Sequence, residues 1–235
     1  MKKTFFMGFT AVVALFLTAI MLCVNALATP LPVFAQTPSG MKIVLDAGHG
    51  GIDGGVTGVK TNVKESDLNL QITFAIKAEL EEMGFDVTLT RKTSAGLYGT
   101  TAKGFKRRDM QARRTIIQEC NPDFVISIHQ NRYPSHATRG AQVFYDKSNE
   151  QSLPLAESLQ NSLNALYKTQ GVKGRSAMKG EYYILACAPV PSVIIECGFL
   201  SNAEDERLLM TKEWQKNIAQ AFIQGLMAYF SSSSL

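Results

Sequence analysis

The sequence predicts an α/β fold: a single three-layer domain in which helices flank a twisted sheet that is mostly parallel or mixed. Short apolar segments typical of buried strands alternate with longer segments whose apolar residues recur at helical spacing. Beyond its first forty residues the 235-residue chain retains about 200 residues, enough for one domain with a large hydrophobic core. Polar and Gly-rich segments follow several strands, where open α/β sheets place their sites.

The first 35 residues are predicted to direct export. Lys2 and Lys3 precede a long apolar run, and small-residue exits lie at 26–28 and 33–35. A positive start, an apolar run and such an exit describe a secretory signal. The run is also about as long as a membrane-spanning helix, so a retained membrane anchor is the alternative. Residues 36–40 are then a linker, 41–231 the main domain and 232–235 a polar tail.

The first half of the domain alternates strands and helices. Residues 42–46 (KIVLD) form a predicted strand, which runs into the loop AGHGGIDGG with five glycines in nine residues. An amphipathic helix over 68–83 follows, with Ser66 or Asp67 as its predicted cap. Residues 85–90 are the next strand, and a basic helix covers 106–119.

The second half continues the alternation. Residues 123–129 (DFVISIH), 141–145, 182–186 and 193–197 are predicted strands. A helix over 149–167 contains Pro154, which is tolerated in a first turn. Asn202 is suited to cap a short helix, and Thr211 to cap a last helix that ends near residue 230.

Charge and cysteine content exclude some functions. The formal charge is +4, and Lys2 and Lys3 contribute two of these charges, so the exported part has a mild excess that does not indicate nucleic-acid binding. Cys120, Cys187 and Cys197 lack the paired spacing of a cysteine metal site. Their apolar flanks favour buried free thiols, and a disulfide between Cys187 and Cys197 is the alternative in an exported protein.

Four residues at predicted element ends carry candidate chemistry. His49 follows the first strand, Glu65 precedes the first long helix, His129 ends DFVISIH, and Glu196 lies in VIIECGFL. Histidine and carboxylate oxygen are good zinc ligands, and a further carboxylate beside the metal is suited to act as a base. Taken singly, each has a structural explanation. His49 can be an incidental loop histidine, and Glu65 a carboxylate that favours a helix start. His129 can be a core histidine, and Glu196 can form a salt bridge with an arginine such as Arg113.

Together, KIVLDAGHGG, KESDLNL, SIHQN and IIECGFLSN resemble the zinc-dependent N-acetylmuramoyl-L-alanine amidases, with their D-x-G-H-G-G opening and E-x-G-F-L-S-N closing motifs. The resemblance covers the chain from about residue 41 to 230. It implies that His49, Glu65 and His129 bind Zn²⁺ and that Glu196 is catalytic. Departures are mild, and none removes a ligand or the catalytic residue: Ala47, Gln130 and Arg132 replace the usual residues at their positions.

The resemblance implies hydrolysis of the amide between N-acetylmuramic acid and L-alanine in peptidoglycan, outside the cytoplasm. Asp46 and Asn131 are candidates to lie just outside the ligands, near the histidines. The segment LYGTTAKGFKRRDMQARR further resembles spore-cortex amidases of endospore formers, which implies a role in muramic δ-lactam formation during sporulation and germination. In some members of that group a lipoprotein supports activity. The alternatives are a zinc peptidase acting on stem peptides and a non-catalytic wall-binding protein.

Overall fold

The computed structural model describes residues 40–233, and within this range it contains one six-stranded sheet. The strands are β1 (Lys42–Ala47), β2 (Asp86–Leu89), β3 (Phe124–Asn131), β4 (Gln142–Tyr145), β5 (Met178–Lys179) and β6 (Ser192–Phe199). The helices are α1 (Glu65–Glu82), α2 (Phe105–Cys120), α3 (Ser152–Lys168), α4 (Ala203–Leu209) and α5 (Lys212–Ser233). The sheet order is β2-β1-β3-β6-β4-β5, with β4 antiparallel to β6 and the other pairs parallel. The predicted α/β class with a mostly parallel, mixed sheet is confirmed.

Successive residues of the central strands face opposite sides of the sheet, and this alternation produces three layers. On β1, Ile43 and Leu45 belong to the larger core, which includes apolar residues of α1, α3 and α5. Val44 belongs to a smaller core on the other face, beside Ile117 of α2 and Ile184. Both faces of β1 and β3 are therefore covered, which explains their nearly continuous apolar sequences.

Helix boundaries follow the predicted signals in most places. Pro154 lies in the first turn of α3, and the side chain of Asn202 accepts hydrogen bonds from the backbone at the start of α4. The hydroxyl of Thr211 accepts a bond from the Trp214 amide, as expected of a cap. The predicted caps of α1 were wrong, because α1 begins at Glu65 and Ser66 already lies inside its first turn. The early start puts Glu65 at the N-terminal end of the helix.

The predicted strand over 182–186 was wrong. Tyr183–Ala186 is a 3-10 helix, closed by a hydrogen bond from the Leu185 amide to the Tyr182 carbonyl. Ile184 and Leu185 both pack into the smaller core, which a strand with alternating sides would not allow. The short strand that pairs with β4 lies earlier, at Met178–Lys179.

The three cysteines of the described range are free. Cys187 belongs to the smaller core and Cys197 to the larger one, so the sheet separates them. The prediction of buried thiols is confirmed for Cys187 and Cys197, and the alternative disulfide between them was wrong. Cys120 is only half-buried.

The predicted leader at 1–35 and most of the predicted linker lie outside the described residues, so the export signal and its anchor alternative stay predictions. Within residues 40–233, no helix combines the length and the apolar character needed to cross a membrane. The final helix α5 extends to Ser233, beyond its predicted end near residue 230.

Candidate functional site

Two of the candidate residues are direct neighbours across the sheet. His129 of β3 and Glu196 of β6 are partners in the parallel register, immediately before that register shifts. Both lie in phase with Val125 and Ile194, which face the α2 side of the sheet. Strand pairing alone therefore brings together a histidine and a glutamate that are distant in sequence, near the carboxyl ends of the two central strands.

His49 and Glu65 complete the group from the two segments that follow β1. The Nε2 atom of His49 lies 3.4 Å from Oε1 of Glu65, and Nδ1 of His129 lies 2.9 Å from the same oxygen. One potential ligand atom from each of the three side chains lies within 4.8 Å of the others. This spacing allows His49, Glu65 and His129 to hold one metal ion, as the sequence predicts.

Two glycines of the loop after β1 are required by this close packing. A Cβ on Gly48 would collide with the ring of His129, and a Cβ on Gly55 would collide with the carboxylate of Glu65. Gly55 also has a φ of 67°, which favours glycine. The glycines seen in the sequence therefore let the loop backbone approach the candidate ligands.

The carboxylate of Glu65 is held in place by backbone donors. Its Oε2 accepts a 2.8 Å bond from the Val56 amide, and its Oε1 accepts a 3.1 Å bond from the Gln130 amide. Burial would raise the pKa of Glu65, but hydrogen bonds to His129 and His49 hold it well below its ordinary value. The Gln130 side chain donates to Asn69, whose amide in turn contacts Glu65, so this departure from the family pattern supports the site.

The Glu196 carboxylate is kept out of the group of three. Among the residues that the structure describes, its buried Oε2 atom has no hydrogen-bond partner. Burial raises the pKa of Glu196 to about 7; Glu65 adds to the rise, while His129 and His49 oppose it. The suggested salt bridge to Arg113 was wrong, because the ion pairs of Arg113 are with Asp46 and Asp109. A carboxyl group with such a raised pKa, next to a candidate metal site, is suited to exchange protons.

Asp53 is a site residue that sequence reasoning missed. Its Oδ2 lies 3.1 Å from Nδ1 of His49, which leaves Nε2 of the same ring facing Glu65. Burial would lower the pKa of His49, but Glu65 and Asp53 raise it to about 9. The signal was present in the loop AGHGGIDGG, where an acidic residue follows the histidine at four positions. Only the folded loop shows that the two side chains meet.

Two buried arginines hold the loop that carries His49. Arg113 donates to the carbonyl oxygens of Ala47 and His49 at 2.8 and 2.6 Å. Arg91 donates to the carbonyls of Ala47 and Gly48, and also to that of Ser66 in α1. The two guanidinium groups therefore satisfy backbone oxygens that the turn leaves unpaired, and they link the ends of β1 and α1.

Asp46 and Asn131 do not orient the histidines through hydrogen bonds. The Asp46 carboxylate instead accepts bonds from Arg113, Thr90 and Ser127. Asn131 Oδ1 accepts a bond from the Arg132 amide. Asp46 nevertheless lies near His129, whose charge helps to lower its pKa, and it lines the same cleft as both histidines. A role of either side chain in supporting the histidines stays a prediction.

A cleft of about 280 Å³ opens in front of the site, with His49, His129 and Glu196 among its lining residues. One wall is formed by the start of α2, including Phe105 and Met110. Residues of the 3-10 helix and the preceding Tyr182 also line the cleft. The arrangement offers a partly apolar groove in which a polar bond can reach the candidate catalytic residues.

Comparisons with known proteins find relatives along most of the chain. Residues 43–228 match the protein family described as N-acetylmuramoyl-L-alanine amidase. The germination-specific N-acetylmuramoyl-L-alanine amidase of Bacillus subtilis (strain 168) is 33% identical over 201 residues, covering 82% of this chain and 81% of the relative. A probable cell wall amidase, LytH of Staphylococcus saprophyticus, is 32% identical over 192 residues, covering 80% of this chain and 58% of the relative.

A solved structure has the same fold. The CwlD amidase from Clostridioides difficile, in complex with the GerS lipoprotein, matches with a TM-score of 0.76 and 34% identity. The match covers 82% of this chain and 100% of that one. The family match over residues 43–228 includes all four candidate site residues.

Proposed function

The chain belongs to the N-acetylmuramoyl-L-alanine amidase family and is a peptidoglycan amidase, and from this premise we propose how its site works. His49, Glu65 and His129 bind one Zn²⁺ ion, and Glu196 is the catalytic acid and base. The bond hydrolysed joins the lactyl group of N-acetylmuramic acid to L-alanine of the stem peptide. The observation that carries this proposal is the convergence of three ligand atoms within 4.8 Å beside the free Glu196 carboxylate oxygen.

The residues present fit zinc. Two imidazole nitrogens and one carboxylate oxygen form a ligand set typical of catalytic zinc sites, which leave a further coordination position open. Gly48 and Gly55 have no side chain, so the loop backbone lies close to His129 and Glu65 without displacing them. The Asp53 contact to His49 matches the common arrangement in which a carboxylate binds the second ring nitrogen of a histidine ligand.

The reaction breaks the C–N bond of the amide and forms a C–O bond with water. A bound zinc ion supplies Lewis acidity, which polarises the amide carbonyl and makes water more acidic. Oε2 of Glu196 accepts a proton from the attacking water and later donates it to the departing nitrogen of L-alanine. Burial raises the pKa of Glu196 above that of an ordinary carboxyl group, which suits it to both transfers.

We further propose that the chain acts on the spore cortex, in formation of muramic δ-lactam. The support is the similarity to a germination-specific amidase of Bacillus subtilis. A lipoprotein activator is proposed on similar grounds, because the related CwlD amidase was solved in complex with the GerS lipoprotein. Residues 1–35 would export the enzyme as a cleaved signal or a retained anchor, with 36–40 as a linker and 41–231 as the catalytic domain.

Product analysis tests the reaction. We expect the zinc-loaded chain to release intact stem peptides from cortex muropeptides and to leave muramic acid with a free lactyl carboxyl, as measured by mass spectrometry. Vegetative muropeptides, digested in parallel, test the wall preference. Release of amino acids with truncated stems would instead identify a peptidase. Absence of any cleavage, even with a candidate lipoprotein added, would favour a wall-binding protein.

Replacing Asp53 by asparagine is expected to weaken zinc binding about 10- to 100-fold, because the substitution removes the carboxylate that holds Nδ1 of His49. Competition with a chromogenic chelator measures the affinity directly. Asp86→Asn, an exposed change at the start of β2, is the matched control and should bind zinc as the wild type does. Equal zinc affinity of Asp53→Asn and wild type would contradict the assigned role.

A further inference from the structure

The cleft in front of the site has a charged residue at its mouth that the proposed reaction does not use. Lys106 lies on the second position of α2 and lines the cleft, with its side chain 69% exposed. Its Nζ atom lies 3.5 Å from Oδ1 of Asp53, and the other oxygen of Asp53 contacts His49. Lys106 is therefore joined to a candidate zinc ligand through a single intervening side chain.

The ammonium group of Lys106 retains capacity for another partner. An ammonium has three donors, and the 3.5 Å distance to Asp53 is longer than a normal hydrogen bond. Arg113 is the other lysine or arginine that lines the cleft, and it is buried in bonds to Asp46, Asp109 and two carbonyls. Among the cleft residues described, Lys106 is thus the cation that an incoming anion can reach.

The lining behind Lys106 is largely apolar. Phe105, Met110, Ile184 and Ile194 all line the cleft, and Met110 packs against the cluster that contains the two isoleucines. Such a surface suits small methyl groups and excludes water from the bond next to them. A ligand that combines an apolar part near the site with an anion a short distance away would match both features.

The two sides of the scissile bond differ in charge. The sugar side is neutral, because the lactyl carboxyl of muramic acid is part of the amide. The peptide side carries the methyl of L-alanine and then D-glutamate, whose α-carboxyl is either free or amidated as D-isoglutamine. That carboxyl lies about two residues from the scissile carbonyl, roughly 7 Å along an extended chain. The peptide side therefore matches the apolar lining and the cation.

We propose that the cleft binds the stem-peptide side of the substrate and that Lys106 binds the α-carboxylate of its second residue. This inference rests on the proposed amidase function and extends it: Lys106 makes the enzyme prefer stem peptides with free D-glutamate over those with D-isoglutamine. The preference arises from one largely exposed charge pair, so it is modest and is weakened by salt.

Two muramoyl peptides that differ only in this carboxylate or carboxamide test the inference. We expect the zinc-loaded wild type to cleave the carboxylate form about two- to fivefold more efficiently in kcat/KM, with the ratio falling at high salt. Lys106→Met should bring the ratio near one, Lys106→Arg should keep it, and Lys106→Glu should invert it. The ratio is the readout because any effect of Lys106 on Asp53 and His49 acts equally on both substrates.

Two control variants locate the effect. Arg107→Met removes a charge from the same turn of α2 outside the cleft lining, and it should keep the wild-type ratio. Arg132 lines a separate cavity of about 310 Å³ with His136 and Ser201. If Arg132→Met abolishes the preference while Lys106→Met keeps it, the peptide binds elsewhere and the inference fails.

The remaining outcomes are also decisive. A wild-type ratio of one, or an unchanged ratio in Lys106→Met, would overturn the role of Lys106 while the amidase assignment stands. Cleavage of neither substrate by the zinc-loaded wild type would overturn the proposed function, and with it this inference.

Discussion

Replacing Glu196 by glutamine is expected to lower kcat about 100- to 10,000-fold while zinc content stays at the wild-type level. Glutamine keeps the size of the side chain but cannot accept the proton of the attacking water, and general acid–base groups contribute an effect of this order. Glu196 lies beside His129 in the sheet but is outside the group of three candidate ligands, so the metal should remain bound. Steady-state kinetics with elemental analysis of the purified protein measures both quantities.

His49→Ala is the matched comparison for this result. It removes a proposed ligand instead of the proton carrier, so zinc content and activity should be lost together. Far-UV circular dichroism checks that both variants are folded. A Glu196→Gln enzyme that turns over at the wild-type rate, or that loses its zinc, would refute the division of roles between the two residues.

Replacing Arg113 by methionine is expected to lower the free energy of unfolding by about 3–5 kcal/mol, because the substitution leaves Asp46 as a buried charge without its partner. Asp46 and Arg113 are both almost fully buried, and the guanidinium also holds the carbonyls of Ala47 and His49. Urea unfolding measures the loss. The exposed Arg107→Met on the same helix is the control and should change stability by less than about 0.5 kcal/mol.

A double variant separates the buried charge from the lost packing. Adding Asp46→Asn to Arg113→Met removes the unpaired carboxylate and should recover part of the stability. A loss below about 1 kcal/mol in Arg113→Met would mean that the ion pair contributes little beyond a surface pair.

The same ion pair predicts a response to acid. Burial would raise the pKa of Asp46, but Arg113, Ser127 and Thr90 lower it to about 2 from an ordinary value of 3.8. Since the folded-state pKa is depressed, the stabilisation is complete above about pH 3.8 and is lost as the pH falls through about 2. In Arg113→Met this acid-labile contribution should shrink or reverse in sign.

Much of the fold could be predicted because its signals are local. The apolar sequences of β1, β3 and β6 reflect burial on both faces, and caps such as Asn202 act on the turn that follows them. The strand predicted over 182–186 was wrong because it relied on local composition alone. Tyr-Tyr-Ile-Leu-Ala has the composition of a strand, but packing of Ile184 and Leu185 into the smaller core favours a 3-10 helix.

The sequence by itself determined the α/β class and nominated His49, Glu65, His129 and Glu196, because strand ends and their polar residues can be recognised from neighbours along the chain. Only the tertiary structure decided that these four converge, that Asp53 contacts His49, and that Lys106 lies at the mouth of the cleft. These facts depend on strand register and helix placement, which bring together side chains up to about 150 positions apart in sequence. The local preferences of the chain do not depend on residues so far away in sequence, so these contacts are visible only once the sheet and its helices are packed together.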